Sequence, residues 1–171
     1  GALVGALAAA ALVYLISMAQ GGMTPLRLVL SGVVLSSAFS ALASFLVFRS
    51  PDPRAAQSVL FWMLGSVAGA TWDSLWVAAL VTVVIAVLMI AFSGWLDALA
   101  AGTDVARSLG IPDTRVRKAL FVGNSVLVGV LVAVSGGIGF VGLVIPHMAR
   151  LLVGASHRSM LPIAAAVGSL F

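Results

Sequence analysis

The sequence predicts an all-α polytopic membrane protein, and three observations carry that prediction. Apolar residues occupy 62 per cent of the 171 positions and charged residues only 8 per cent, with a mean hydropathy of +1.22, which a soluble domain of this length does not tolerate. Apolar runs long enough for a helix to cross a bilayer core of about 30 Å recur along the chain. The charge is also concentrated: Gly94–Lys118 holds three of the five acids and four of the nine bases. A membrane chain gathers charge where it meets water, so this interval reads as the main polar face of the molecule.

In order, the first span is 1–19, which at about 1.5 Å per residue reaches roughly 28 Å. It has neither a basic leader nor a Met start, so it reads as a membrane helix of a mature chain and not as a signal peptide. Gln20, Gly21 and Gly22 end it. A second span, 28–48, carries Ser31, Ser36, Ser37, Ser40 and Ser44, whose hydroxyls either bond back to the helix or form a weakly polar pathway wall. Arg49–Gln57, with two prolines and three charges, reads as a loop. Ser58–Trp76 is broken by Gly65, Gly69 and Asp73 and flanked by Trp62, Trp72 and Trp76; tryptophan favours the headgroup level, so this is an interfacial helix and turn and not a crossing. The span 75–93 is the most apolar.

The interval 94–118 follows, read as a short amphipathic helix, a break at Gly102, a second short helix, and a stop at Gly110 and Pro112. Leu96, Leu99, Ala100, Ala106 and Leu109 fall roughly at helical spacing, with Asp97, Asp104 and Arg107 between them. Further spans are expected at 119–135, 138–153 and 160–171, six in all. Ser135–Gly139 has three glycines in five residues and reads as a turn or a broken helix. Gly154–Ser159 reads as a loop, with Pro162 in the first turn of the last helix. The chain begins and ends inside apolar runs, as expected of a piece of a longer protein.

Charge orients these spans. If 138–153 crosses, Arg27, Arg107, Arg115, Arg117, Lys118, Arg150 and Arg158 share one side against Arg49 and Arg54 on the other. If it does not, the split falls to five against four. The first arrangement satisfies the retention of basic residues in the cytosol, so 94–118 is expected to face the cytosol. A pI near 11.2 would suggest nucleic acid in a soluble protein; here it reflects this one-sided placement, and no nucleic-acid partner is expected.

The run GGIGFVGLVIPHMARLLVGASHRSMLP, Gly136–Pro162, resembles the signature of FecCD-type permeases, the membrane subunits of importers for ferric siderophores, haem and vitamin B12. RLVLSGVVLSS at Arg27–Ser37, WMLGSVAGATW at Trp62–Trp72 and AAGTDVARSLGI at Ala100–Ile111 agree with it in order and spacing. The resemblance implies a type II ABC importer permease fold of ten helices, of which this chain supplies about six, in the inner (cytoplasmic) membrane of a bacterium. It implies a permease homodimer or a pairing with a related permease, a cytosolic ABC ATPase dimer, and a periplasmic or lipoprotein substrate-binding protein. ATP and Mg are used by the ATPase, and no cofactor is expected on this chain. Ala100, Gly102, Asp104, Ala106, Arg107, Leu109 and Gly110 match the family's ATPase-coupling segment, and Thr24, Pro25 and Leu26, in the link where related permeases narrow the cytosolic end of the pathway, are gate candidates. Gly139, Phe140, Gly142, Pro146, His147 and Arg150 carry the signature. The family often has a glutamate directly after the glycine; here Thr103 follows Gly102 and the acid comes one place later.

The residues exclude other chemistries. No nucleophile and base pair and no phosphate-binding glycine loop with Lys and Ser or Thr occur, so ATP is not hydrolysed by this chain. There is no cysteine, and His147 has no second ligand at metal spacing, which favours a helix bend at Pro146 with His147 capping or packing over haem or metal ligation. His157 lies in the expected charged loop. Arg150 is expected to snorkel to the headgroups. Asn124 reads as an interhelical hydrogen-bonding residue in preference to a substrate contact, and the scattered Met63, Met89 and Met148 read as packing. The spans lack mid-depth charge, which suits a bulky chelate better than a bare ion. A partner-independent secondary transporter or channel is the rival reading, and an intramembrane enzyme using His147 comes last.

Overall fold

The computed structural model describes residues 2–19, 24–67 and 69–170. It is all-helical, with elements α1 (Ala2–Ala19), α2 (Pro25–Arg49), α3 (Pro53–Leu64), α4 (Trp72–Ala91), α5 (Ser93–Ala101), α6 (Thr103–Ser108), α7 (Asp113–Ser135), α8 (Val141–Val153) and α9 (His157–Gly168). By length and composition, Leu26–Arg49 and Asp113–Ser135 suffice to cross a membrane. Leu75–Ala91 with Ser93–Ala101 suffices if that pair, bent by 64°, is one span. Leu3–Ala19 and Val141–Val153 are shorter apolar helices.

Several helices begin earlier than their sequence suggests. Pro53–Gln57 is the start of α3 and not loop, because Asp52 caps it by accepting the Arg54 N–H at 2.9 Å and Pro53 opens the helix; proline lacks only an N–H that the first turn leaves unpaired anyway. Asp113–Lys118 likewise belongs to α7. The last helix starts at His157, three residues before the expected Met160, so His157 is helical and Pro162 lies inside α9, past its first turn. The expected chain break at Gln20–Gly22 falls outside the described residues, as does Phe171.

The chain divides into two compact units. In the first, 1–70 with 128–137, the helices meet at small residues. A Cβ on Gly129 of α7 would lie 3.0 Å from Ala6 Cβ and Leu3 Cδ1 of α1, the close approach that replaces hydrophobic drive in lipid. The Ser37 hydroxyl bonds back to the Val33 carbonyl at 3.0 Å. Ser17 and Ser31 are buried with no hydroxyl partner among the described residues. A hollow of about 420 Å³ is bounded by Gly32, Ser36, Phe39 and Ser40 of α2 together with Trp62 and Met63 of α3. Trp62 itself is 47 per cent exposed.

The glycine turn after α7 has a specific cause. Gly136 has φ +72, and a Cβ there would sit 2.2 Å from the Trp62 carbonyl oxygen. The neighbouring Ser66 N–H donates to the Ser135 carbonyl at 2.7 Å. The second unit comprises 71–127 and 138–171. There α8 and α9 pack along each other, with Ile145, Ala149 and Met160 buried, and α9 also meets α4 and α5.

Gly136→Ala places a methyl group inside the van der Waals radius of a backbone oxygen and a left-handed φ on an L residue. In the full-length permease it is expected to cost about 2–4 kcal/mol, read as a lowered melting temperature in detergent, whereas Gly139→Ala, where a Cβ meets nothing within 4 Å, is expected to be milder.

Candidate functional site

The polar interval folds into a compact element between α4 and α7. At Phe92 the chain leaves α4, and α5 departs at 64°, with the Phe92 and Trp95 ring centroids 5.2 Å apart. Gly102, at φ 128 and ψ 159, separates α5 from α6, a backbone state essentially open to glycine alone. After α6, Gly110 takes φ +73 and its N–H donates to the Arg107 carbonyl at 2.9 Å, the left-handed stop that glycine supplies.

Inside this bend, Ala98 of α5, Ala106 of α6 and Ile111 form a small core, with Leu99 and Val116 packed against it. Ala106 has no exposed surface, and the Ile111 N–H donates to its carbonyl at 3.0 Å. The seven residues singled out for ATPase coupling therefore divide. Ala106 is internal, with no exposed surface. Gly102 and Gly110 shape the turns. Ala100, Asp104, Arg107 and Leu109 are on the surface, Leu109 exposed by 65 per cent. Leu109 thus does not share the buried stripe that its spacing suggested; the chain turns at Gly110 and Ile111 takes the inner place.

Two polar contacts brace the element. Arg107 Nε lies 3.4 Å from Asp113 Oδ1, with the Arg side chain 63 per cent exposed; such a pair contributes about 0–1 kcal/mol. Arg117 reaches the Thr103 hydroxyl at 3.5 Å. A third contact leaves the element: Asp97 on α5 accepts the backbone N–H of His157 at 2.9 Å and lies 2.5 Å from its Nδ1. The His157 amide and ring, with a smaller contribution from Ser156, hold the Asp97 carboxyl below the ordinary aspartate range. His157 is thus engaged, not a free residue in a charged loop.

The other candidates are dispersed. Thr24 caps α2, its hydroxyl accepting from the Arg27 N–H at 3.4 Å; Leu26 is 69 per cent exposed, and the surroundings of the Pro25 side chain lie outside what the structure describes. In the signature, Phe140 has φ 65 in the left-handed region and is 82 per cent exposed, and its carbonyl starts α8 by accepting from Val144 at 2.9 Å. Gly139 accepts from the Val141 N–H at 2.8 Å. Pro146 lies inside α8, so the Gly142 carbonyl loses its helical donor. Gly142, His147 and Arg150 are exposed, while the buried face of α8 is Ile145 and Ala149. Asn124 is exposed on α7. Among the described residues no three His, Cys, Asp or Glu side chains gather as a metal site.

The latch-like contact between Asp97 and His157 is not legible in sequence because the partners are sixty residues apart. The start of α9 at Ser156 and His157 has no side-chain cap bond of its own, so nothing local announces the contact. For the bend itself, Gly102→Val is expected to cost about 1–3 kcal/mol through the backbone alone, measured as thermal stability of the purified full-length permease.

Comparison with known proteins agrees with this architecture. The cobalamin import system permease protein BtuC of Halobacterium salinarum is 36 per cent identical over 170 residues, covering 99 per cent of this chain and 46 per cent of that protein. The molybdate import system permease protein MolB of Haemophilus influenzae is 36 per cent identical over 161 residues, covering 94 and 48 per cent. A solved structure described as an inward-facing conformation of a metal-chelate type ABC transporter superposes with a TM-score of 0.82 at 36 per cent identity, over 94 per cent of this chain and 51 per cent of that one. The chain spans about half the length of the curated relatives it matches. The model of the FecCD transport family matches residues 1–171, and the chain belongs to that family.

Proposed function

We propose that this chain forms part of the membrane-spanning permease subunit of an ATP-driven importer that carries a ferric siderophore or a related metal chelate, haem or cobalamin, across the bacterial inner membrane. The observation that supports this reading best is the α4–α7 bend. Two short helices are fixed by a glycine-only turn and a buried alanine, and they offer Asp104, Val105, Arg107 and Leu109 outward. That is a small, stiff, mixed apolar and charged knob, suited to a groove on a soluble protein. A push on it passes directly into α4 and α7, since both are continuous with it in the chain.

In this reading the knob docks on a cytosolic ABC ATPase dimer that binds ATP and Mg, while the permease chain itself catalyses nothing and binds no cofactor. A second permease subunit completes the pathway, and a periplasmic or lipid-anchored binding protein delivers the substrate. The serine-bearing face of α2, with its hollow at Ser36 and Ser40, offers hydroxyls without charge, which passes a bulky chelate without holding it. Thr24, Pro25 and Leu26 at the start of α2 are candidates for narrowing the pathway at its cytosolic end. The substrate class is read from the ligand that the cognate binding protein retains on purification; a retained molybdate, the cargo in the name of one relative, would replace the chelate.

Reversing Asp104→Arg together with Arg107→Glu in the full-length permease is expected to lower ATPase co-purification and uptake by about tenfold or more, and unchanged uptake would remove the docking assignment. A cysteine at Ser108, exposed at the end of α6, is expected to react with impermeant maleimide only from the cytosolic side of the membrane. Labelling from outside would invert the orientation.

A further inference from the structure

If a motor moves α5–α6, the reading on which this inference rests, its push passes along the chain into α4 and α7, and it reaches the remaining helices only through contacts that do not slide. The pairs Arg107–Asp113 and Arg117–Thr103 stay within the docking element or the first turns of α7. The contact of Asp97 does not: it joins α5 to a helix sixty residues further along the chain. Its Oδ1 accepts both the His157 N–H and the His157 ring Nδ1–H, and Oδ2 lies 3.5 Å from the Ser156 hydroxyl.

Three physical features make this contact stiff. The cap residue of α9, Ser156, makes no side-chain cap bond, so the carboxylate of Asp97 takes that role from another helix and sits at the positive end of the α9 dipole. The two bonds converge on one oxygen from a backbone group and a ring of the same residue, which fixes direction as well as distance. The His157 side chain is 16 per cent exposed and that of Asp97 39 per cent, so the contact is shielded from water on its ring side. Beyond it, α9 packs along α8 through the buried Ile145, Ala149 and Met160. The link between α8 and α9 is only Gly154, Ala155 and Ser156, with Gly154 at φ +85, a short turn able to absorb movement.

The geometry points to Asp97 as a positioning residue, a latch that makes α5 and the start of α9 move as one piece, so that displacement of the docked α5–α6 is delivered to the α8–α9 hairpin and not lost in the turn at Gly154–Ser156. Asp97 stands on α5, apart from the outward lip of Asp104, Arg107 and Leu109, so it acts through His157 and not on the partner.

The test uses the full-length permease reconstituted with its ATPase and binding protein. Asp97→Ala is expected to leave ATPase co-purification and basal ATP hydrolysis near the wild-type level while lowering substrate moved per ATP by about tenfold, the scale set by losing charge-assisted hydrogen bonds. Asp97→Asn keeps an oxygen for the His157 N–H and is expected to retain most of the coupling, as a mere loss of negative charge at the docking surface would not predict. The pair Asp97→Cys and His157→Cys is expected to couple poorly when reduced and to recover when oxidised. Unchanged transport per ATP in Asp97→Ala, or no recovery in a fully cross-linked Cys pair, overturns the latch. If Asp97→Ala does not accumulate in the membrane, the Cys pair decides alone. Loss of ATPase co-purification in Asp97→Ala also overturns it, by making Asp97 part of the docking surface. If the Asp104 and Arg107 reversal abolishes docking while Asp97→Ala couples normally, the latch alone falls; if that reversal leaves docking intact, the docking reading falls first.

Discussion

Contact between backbones at small residues is the constraint on which this molecule depends. Lipid tails are as apolar as leucine, so helices in a bilayer gain little from burying large side chains against one another and rely on close packing instead. In the first unit this shows at Gly129, pressed against Ala6 and Leu3, and at Gly136, pressed against the Trp62 carbonyl. In the second it shows at Ala149 of α8, which exposes nothing. The large apolar side chains mostly point outward, as they do from Val33, Val34, Leu80 and Val83. A soluble protein would be unstable with that arrangement, and a membrane protein requires it.

Close contact at small residues also shapes the short polar element. Ala106 is small enough to let α6 settle on α5 and the start of α7, and Gly102 permits the reversal that brings them together. Under the proposed docking, recognition would fall to the exposed rim of Asp104, Arg107 and Leu109, so that shape and contact belong to different residues of one short segment. The resemblance in sequence covers both kinds at once, and only the burial of each side chain separates them.

Fold class, the position of the polar element and its breaks at Gly102 and Gly110 were legible in the residues, because hydropathy, charge and glycine each act locally. The helix starts were less so. Proline and charge at Pro53, Asp113 and His157 look like loop, yet all three residues stand at first-turn positions, where proline costs little and an acid is favoured. For α3 the cap, Asp52, is adjacent and could have been found. For α9 it is Asp97, and no local pattern reveals a cap supplied from sixty residues away. His157 consequently looked like a loop residue, and Leu109 looked like part of the buried stripe it shares in spacing with Ala106, since spacing alone does not show where the chain turns at Gly110.

A helix that borrows its cap from a distant segment has an order of assembly written into it. The donor helix α5 precedes α9 in the chain, so during synthesis the carboxylate is already present when Ser156 and His157 emerge. The first amide of α9, that of His157, therefore meets an acceptor that is already made when it emerges. Moving α5 downstream of α9 by permutation would leave the same contacts available in the finished molecule but remove that timing.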